Sequence, residues 1–398
     1  MKKQKIEKIA DIVMEYSLYG MLFFIPISIA AIEAMAGICF TAFIVKKIVN
    51  PDFSFLKNKI YLILLAFFIF NALSLFNSGP YLAKSLKALF FKWFEFLLIF
   101  MLAAEGLNNR IRLRNFIIVA VFSAGLISFD GIFQKISGTD FIRGNLLSAT
   151  GFITASFKNQ NSFSAYLIIA TLLAISLFMV SHLKIAHKTA LFILALLCGT
   201  CLLLTQSRGA MLGFFAGLIL FSLLSGNYRI ILVCLLVFSV ALLVLPAYQK
   251  KVINTIFYHD SGDRLALIQT TWSMIKDRPF LGMGLGTYMD HFNKYSSMKD
   301  VTYYAHNSIM QMWAEAGIFT LLSFLTFLGL LFTKATKAFK RNKDLAMLGI
   351  LCGLSAFIIH GFFDNHLYAL QLRALFWLMS GALMAMIRAP FIKIEGKE

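Results

Sequence analysis

Residues 189–224, TALFILALLCGTCLLLTQSRGAMLGFFAGLILFSLL, decide the fold. Two apolar runs, each close to the length that a helix needs to cross a bilayer, flank the short polar segment TQSR. Backbone groups inside lipid need internal hydrogen-bond partners, and a closed barrel would show alternating apolar and polar residues instead. The stretch therefore predicts two membrane helices, with Arg208 at the membrane face where they meet.

The whole chain has the same character as this stretch. Its hydrophobic fraction is 59% and its charged fraction is 14%, whereas a soluble domain carries about 25% charged residues. The net charge of +18 would suggest nucleic-acid binding in a soluble protein. In a membrane protein the excess of lysine and arginine on the cytoplasmic side explains it, so no nucleic-acid partner is predicted.

The hydropathy pattern predicts an all-α polytopic membrane protein, with membrane lipid as its surroundings and residues 1–398 forming one integral membrane domain. Most of the 37 lysines and arginines fall in alternate connections, which predicts that both termini are cytoplasmic. About twelve spans are predicted: Ile12–Ile29, Ala31–Val49, Ile60–Phe76, Leu89–Ala104, Phe116–Phe133, Ser162–Ser181, Thr189–Leu204, Gly209–Leu224, Ile230–Pro246, Asn307–Phe332, Leu345–Phe363 and Tyr368–Ile387.

Two predicted outer segments are long, residues 134–161 and residues 247–305, the latter between the ninth and tenth spans. Long loops on a compact scaffold tend to carry function. The second segment is predicted to be partly helical, with Asp263 able to cap a helix that Pro279 ends. Its apolar residues recur at helical spacing and predict a helix on the membrane surface or on the bundle: Leu265, Ile268, Trp272 and Ile275.

Three basic side chains on the outer face are candidates for chemistry. Arg208 either reaches lipid head groups or grips a phosphate with its planar fork, and Gly209 and Ala210 beside it would allow a ligand to approach closely. Arg264 either pairs with Asp260 or Asp263 or binds an anion near the helix start. His306 is either an interfacial hydrogen-bonding group or a general base.

Two groups of potential metal ligands are interpreted as packing. His360, Asp364 and His366 surround the last outer turn, where a metal site is conceivable, but no further ligand is evident and a hydrogen-bonded cluster is favoured. Cys198 and Cys201 form a CxxC inside an apolar run, where packing is favoured over redox or zinc chemistry. Neither a metal nor a cofactor is predicted.

Two further features are interpreted as structural. Glu315 lies inside a predicted span, where polar packing within the bundle is favoured, although an acid at such a depth is a functional candidate by default. Gly282, Gly284 and Gly286 predict a tight turn, and the absence of a preceding strand argues against a nucleotide-binding fingerprint.

The order and spacing of these pieces resemble the O-antigen ligase family, within the wider group of O-antigen ligases and polymerases, over roughly residues 151–385. The first 130 residues match only as hydrophobic spans. The residues that carry the resemblance are Phe157, Asn159 and Asn161; Ser207-Arg208-Gly209-Ala210 and Gly213; Arg264 and Trp272; Asp277-Arg278-Pro279-Phe280-Leu281-Gly282-Met283-Gly284; and His306-Asn307-Ser308 with Glu315-Ala316-Gly317.

The resemblance implies a GT-C-like membrane glycosyltransferase of the bacterial inner membrane. Such a ligase moves a glycan from undecaprenyl diphosphate to a sugar hydroxyl of lipid A–core or another glycan acceptor, on the periplasmic side. By the same resemblance Arg208 and Arg264 would bind the diphosphate and His306 would activate the acceptor. Asp364 and Ser207 are secondary candidates. The expected reaction is inverting and independent of metal.

Three other functions remain open at this stage. An O-antigen polymerase and a protein O-oligosaccharyltransferase would use the same donor class with a different acceptor, and the motifs do not separate them from a ligase. A membrane transporter is the alternative of another class. Transporters often show repeated halves with sites at the membrane midplane, whereas here the polar residues gather at the outer face.

Overall fold

The computed structural model describes residues 2–244, 262–296 and 304–389, and this part of the chain is almost entirely helical, without a β-strand. The predicted all-α fold is confirmed. The described helices are α1 (Lys2–Phe24), α2 (Ile29–Val49), α3 (Lys59–Leu73), α4 (Leu82–Ala88), α5 (Glu95–Gly106), α6 (Arg110–Ser137), α7 (Gln160–Phe178), α8 (Ile185–Leu204), α9 (Arg208–Ser225), α10 (Arg229–Val244), α11 (Gly262–Asp277), α12 (Tyr288–Tyr295), α13 (Ser308–Asn342), α14 (Leu345–His360) and α15 (Leu370–Arg388).

Within the described residues, eight helical segments are long and apolar enough to cross a membrane, and α14 is a shorter apolar helix. Each of the twelve predicted spans overlaps a described helix, although Pro246, the predicted end of the ninth, lies outside the described residues. The fourth span departs from a plain helix, because a π-helical turn, Leu89–Phe94, separates α4 from α5. The protein is thus a multi-pass membrane protein, and both the count of twelve and the single domain stay predictions.

The centre of the bundle is α15, whose residues from Gln371 to Met386 are all buried. It packs against α5, while α14 packs against α7 and α9 and α13 packs against α3. Small residues allow the closest of these approaches: a Cβ on Gly213 of α9 would lie 2.6 Å from the carbonyl oxygen of Ala356 in α14. This contact brings the outer end of α9 beside the outer end of α14.

The first outer segment folds back on the bundle mainly through side chains. Gln134 at the end of α6 accepts hydrogen bonds through Oε1 from the backbone N–H groups of Thr154 (2.8 Å) and Ala155 (2.9 Å). The buried Asp130, one turn earlier, accepts from the backbone N–H of Phe141 at 2.8 Å. Buried polar side chains of one helix thus hold both ends of this segment.

The second outer segment is attached through its backbone. Helix α13 is broken at Gly317, which has φ 81° and ψ 174°. The carbonyls of Ala314 and Glu315 just before the break accept hydrogen bonds from the N–H groups of Met283 and Gly284, both at 2.9 Å. Across the break, the Ile318 N–H donates to the carbonyl of Pro279 at 3.0 Å. Residues 279–284 therefore lie directly on a transmembrane helix.

The glycines of this segment make the close approach possible. A Cβ on Gly284 would lie 2.6 Å from Oγ of Ser78, and a Cβ on Gly282 would overlap the backbone of Glu315. Both glycines have positive φ, at 109° and 69°, a region that favours glycine. The predicted turn is therefore a backbone-to-backbone contact with the bundle.

Helix α11 is present and ends at Asp277, as Pro279 predicts, but most of the predicted apolar stripe does not pack on the bundle, and its contact with the membrane surface stays a prediction. Leu265, Ile268 and Trp272 are exposed, at 57%, 45% and 43%, and of the predicted stripe only Ile275 is buried. The buried face also contains Leu267 and Met274, which pack with residues of α12 and α13. The helix has apolar residues on two faces, and the packing selects the other one.

Candidate functional site

The turn from α8 into α9 presents Arg208 at the start of a helix. Ser207 is the N-cap, and its Oγ accepts a hydrogen bond from the N–H of Ala210 at 3.4 Å. Arg208 is half-buried. The expectation that Gly209 leaves room for a ligand is wrong, because a Cβ there would lie 2.7 Å from Cβ of Phe363. The small side chain serves helix packing instead.

Ser207 also joins two other elements of the fold. Its Oγ donates to Oδ1 of Asn161 at 2.8 Å and lies 3.4 Å from Nε2 of His360. Asn159 caps α7 by accepting from the N–H of Ser162 at 2.8 Å. Two of the asparagines that carry the family resemblance therefore fix the outer ends of α7 and α9. Ser207 itself, only 4% exposed, is placed as a structural group beside Arg208.

His306 lies where the second outer segment meets α13, against the turn after α14. Its Nδ1 lies 3.3 Å from Oδ1 of Asp364, and 43% of the imidazole side chain is exposed. Asn307 caps α13, accepting from the N–H groups of Ile309 and Met310 at 3.0 Å. The Ser308 hydroxyl donates to the carbonyl of Asp364 at 2.9 Å, so the two halves of the site are fastened together.

Backbone strain marks two positions in this region. His306 has φ 47° and Gln206, two residues before Arg208, has φ 55°. The left-handed region is uncommon for residues other than glycine, and such conformations persist where the surroundings enforce them. Each of the two precedes a helix that carries or adjoins a candidate side chain.

Burial and neighbouring groups determine the protonation states of Asp364 and His366. Burial acts to raise the pKa of the Asp364 carboxyl, but the hydrogen bond to His306 and nearby positive charge outweigh it and hold that pKa well below its ordinary value. Burial lowers the pKa of His366 to about 4. An ionised carboxylate therefore faces His306, with a neutral imidazole behind it.

Arg264 is exposed on α11 and lies within electrostatic range of the imidazole of His360. His360 is also next to Ser207 and one helical turn before Asp364, so the candidate residues Arg208, Arg264, His306 and Asp364 come from four segments that converge around it. Asp260, one of the two predicted ion-pair partners of Arg264, lies outside the described residues, as do residues 247–261 and 297–303 of the predicted loop.

The two groups of potential metal ligands contact neighbouring side chains and helices. The rings of His360 and His366 meet edge to face with centroids 4.0 Å apart. Among residues 2–244, 262–296 and 304–389 no three histidine, cysteine or acidic side chains are grouped to hold a metal ion. Cys198 and Cys201 are buried against α6, where the Cys201 thiol donates to the carbonyl of Ser128 at 3.1 Å.

Comparison with known proteins gives a match in the central region. Residues 190–325 match the family model described as O-antigen ligase. The chain thus has a region similar to O-antigen ligases. It is also 24% identical over 231 residues to the teichuronic acid biosynthesis protein TuaE of Bacillus subtilis (strain 168), a match that covers 52% of the chain. The chain spans about half the length of that relative, 46% of which is covered.

The O-antigen ligase match confirms the family resemblance for this region. The matched residues include Arg208, Arg264 and His306. Asp364 and His360 lie beyond them, so the structure alone brings these two residues to the matched region.

Sequence reasoning missed one polar connection in this region. The carboxyl of Glu315 is only 2% exposed and accepts hydrogen bonds from the N–H of Gly286 (2.8 Å) and from Nε2 of Gln311 (3.0 Å). Gln311 in turn accepts from Nδ2 of Asn365, next to Asp364, at 2.5 Å. An acidic residue inside a membrane span is a functional candidate by default, so the position of Glu315 in the sequence could have pointed to this connection.

Proposed function

We propose that this protein is a membrane glycosyltransferase that moves a glycan from undecaprenyl diphosphate to a sugar hydroxyl. The observation that carries the proposal is the pairing of the half-exposed His306 imidazole with the ionised Asp364, where segments bearing Arg208 and Arg264 converge. The O-antigen ligase match over the same region supports glycan transfer.

His306 acts as the general base. Asp364 accepts a hydrogen bond from the Nδ1–H group of His306. The other ring nitrogen, Nε2, is then free of a proton and can take the proton of the attacking hydroxyl. A carboxylate in this position fixes the tautomer and the orientation of the ring and stabilises the imidazolium that forms. Positioned proton transfer of this kind contributes roughly 10²–10⁴-fold to a rate.

The two arginines act on the donor. A diphosphate leaving group is acidic enough to depart without a general acid, but its growing negative charge needs stabilisation. Arg208 and Arg264 supply it through charge-assisted hydrogen bonds in a partly dry site, so the reaction needs no metal ion. Attack by the acceptor oxygen on the anomeric carbon breaks the bond to the diphosphate oxygen and inverts the configuration at that carbon.

The lipid tail of the donor has a groove available to it. An apolar cavity of about 320 Å³ lies between α7, α8, α9 and α10. Met211, one turn from Arg208, lines it together with Phe214 and Leu203. A polyprenyl chain in this groove would place its diphosphate beside the start of α9.

The proposed setting is the inner membrane, with both termini cytoplasmic and the site periplasmic. The acceptor of a ligase would be lipid A–core. A second candidate is an O-antigen polymerase with another lipid-linked repeat as acceptor. The relative's name gives the biosynthesis of a different glycan, teichuronic acid, so the match does not tie this region to lipid A–core.

The test is to incubate the purified protein in lipid nanodiscs with undecaprenyl-diphosphate glycan and each candidate acceptor, and to identify the product by mass spectrometry. We expect a new glycosidic bond and release of undecaprenyl diphosphate, unchanged by added EDTA. Product on lipid A–core indicates a ligase, and lengthened lipid-linked glycan indicates a polymerase. Release of diphosphate without a new glycosidic bond, or strong inhibition by EDTA, would contradict the proposed mechanism.

A further inference from the structure

A chain of buried and part-buried hydrogen bonds runs from the second outer segment to the Asp364 turn. It begins at the Gly286 N–H, which donates to Oε2 of Glu315 at 2.8 Å, while Oε1 of the same carboxyl accepts from Gln311 at 3.0 Å. Gln311 Oε1 accepts from Asn365 at 2.5 Å, and the Asn365 N–H donates to Asp364 Oδ1 at 2.7 Å. Glu315 accepts at both of its carboxyl oxygens and Asn365 donates through both its side chain and its backbone, so the chain links Gly286 to the Asp364 turn without a gap.

At its Gly286 end, this chain of hydrogen bonds is connected to the helix that carries Arg264. Two residues after Gly286, the buried Tyr288 places its hydroxyl 2.6 Å from Oγ1 of Thr271 in α11. Arg264 lies on the same helix, two turns earlier. Glu315 therefore stands between the segment that holds one candidate arginine and the turn that holds the partner of His306.

The placement of Glu315 differs from ordinary polar packing. Its own backbone carbonyl receives the Gly284 N–H just before the helix break at Gly317, so the residue holds the outer segment through backbone and side chain at once. A buried carboxylate is costly unless its oxygens accept hydrogen bonds. Each oxygen of Glu315 accepts one. Simple attachment of the segment would be achieved by the backbone bonds alone.

We propose that Glu315 is a positioning residue for the transfer reaction, which sets the Asp364 turn and the Arg264 helix relative to each other. The inference rests on the proposed function, since it concerns the geometry of that site. Glu315 contacts neither reacting group itself and acts through Gln311 and Asn365. A misplacement of about 1 Å in such a site can lower a rate about 10²-fold.

The test compares Glu315→Ala with Glu315→Gln and with a matched control, Asp130→Ala. Asp130 is also a buried acid that accepts a backbone N–H of an outer segment, at 2.8 Å from Phe141, but it belongs to the first segment. We expect Glu315→Ala to lower kcat about 10²-fold in protein that remains folded. Glu315→Gln keeps an acceptor for Gly286, and the amides of Gln311 and Asn365 can turn to suit it, so most of the activity should return.

The energetic coupling between Glu315 and Asp364 distinguishes a positioning role of Glu315 from a purely structural one. In a double-mutant cycle, Glu315→Ala should cause little further loss of kcat once Asp364 is replaced by alanine, whereas Asp130→Ala should be additive with that change. Additive effects of Glu315→Ala, or an equal loss of kcat in Asp130→Ala protein of equal thermal stability, would overturn the proposal.

Hydrogen exchange separates this inference from the proposed function. The peptide that contains Met283, Gly284 and Gly286 should exchange faster in Glu315→Ala than in the wild type, while the peptide that contains Phe141 should not change. If the wild type transfers no glycan, the proposed function fails. If exchange at 279–288 is unaltered, the positioning role fails whatever the activity is.

Discussion

The two outer segments are fastened to the bundle in different ways. The first, around residues 138–157, is held by side chains of α6, with Gln134 and Asp130 accepting its backbone N–H groups. The second is bonded by its own backbone to the break in α13 at Gly317. Side-chain anchors tolerate changes in the segment they hold, whereas backbone contacts through glycine fix the segment against the membrane helix. Chemistry that needs a defined geometry is better served by the second arrangement, and it is there that His306 and Arg264 lie.

The largest expected effect comes from removing the base. His306→Ala should lower transfer by roughly 10²–10⁴-fold while binding of the lipid-diphosphate donor persists, because the ring acts on the acceptor. The measurement is the rate of product formation together with donor binding by the same protein. Arg143→Ala is the matched control in the first segment, where its guanidinium donates to the carbonyl of Ile27. A comparable loss in the control would remove the distinction between the segments.

Replacing arginine by lysine sharpens the same comparison. Arg208→Lys and Arg264→Lys should each lower kcat/KM about 10²-fold, because a point charge cannot reproduce two parallel hydrogen bonds to a diphosphate. Arg143→Lys in the first segment should leave kcat/KM near the wild-type value. Wild-type turnover in Arg208→Lys protein would exclude Arg208 from the mechanism.

Glycine substitutions compare the two attachments by stability. Gly317 and Gly138 both have positive φ, at 81° and 86°, so an alanine is strained at either position, at a cost of about 1–3 kcal/mol. At Gly138 there is open space, whereas a Cβ on Gly317 would overlap the carbonyl of Phe280. Gly317→Ala should therefore lower the thermal midpoint in detergent clearly more than Gly138→Ala does. Equal midpoints would show that the backbone contact contributes little.

A smaller effect is expected from pH. His366 is buried with its pKa lowered to about 4, so between about pH 4 and 6.5 the unfolded chain binds a proton that the folded protein does not. The free energy of unfolding should rise with pH across this window, by up to about 3 kcal/mol. Thermal midpoints measured from pH 4.5 to 7 should show this slope, and His366→Gln should flatten it. An unchanged slope in that variant would assign it to other groups.

Hydropathy alone predicted the long apolar helices, because each apolar run is a local property of the chain, but it did not predict α12. The end of α11 before Pro279 was also predictable, since proline cannot continue a helix. The face on which α11 packs was not, because Leu265 and Leu267 lie on different faces of one helix and only the surroundings decide which is buried.

The sequence names candidate residues for the site but does not predict the contacts that connect them. The resemblance named Arg208, Arg264 and His306, and the structure brings their segments together around His360. The bond from Gly286 to Glu315 joins residues 29 positions apart, and no spacing rule predicts such a contact. The role of Gly209 was misassigned for the same reason, since its neighbour Phe363 is distant in sequence.

The break at Gly317 divides α13 into unequal parts. The portion after it, residues 318–342, rises about 1.5 Å per residue and is long enough to cross a bilayer by itself. The portion before it is hydrogen-bonded to residues 279–286, so the outer segment packs directly on it. Residues 279–286 and 308–317 are in this sense one packed unit. A chimera with a relative should take both parts from the same parent, because their surfaces fit each other.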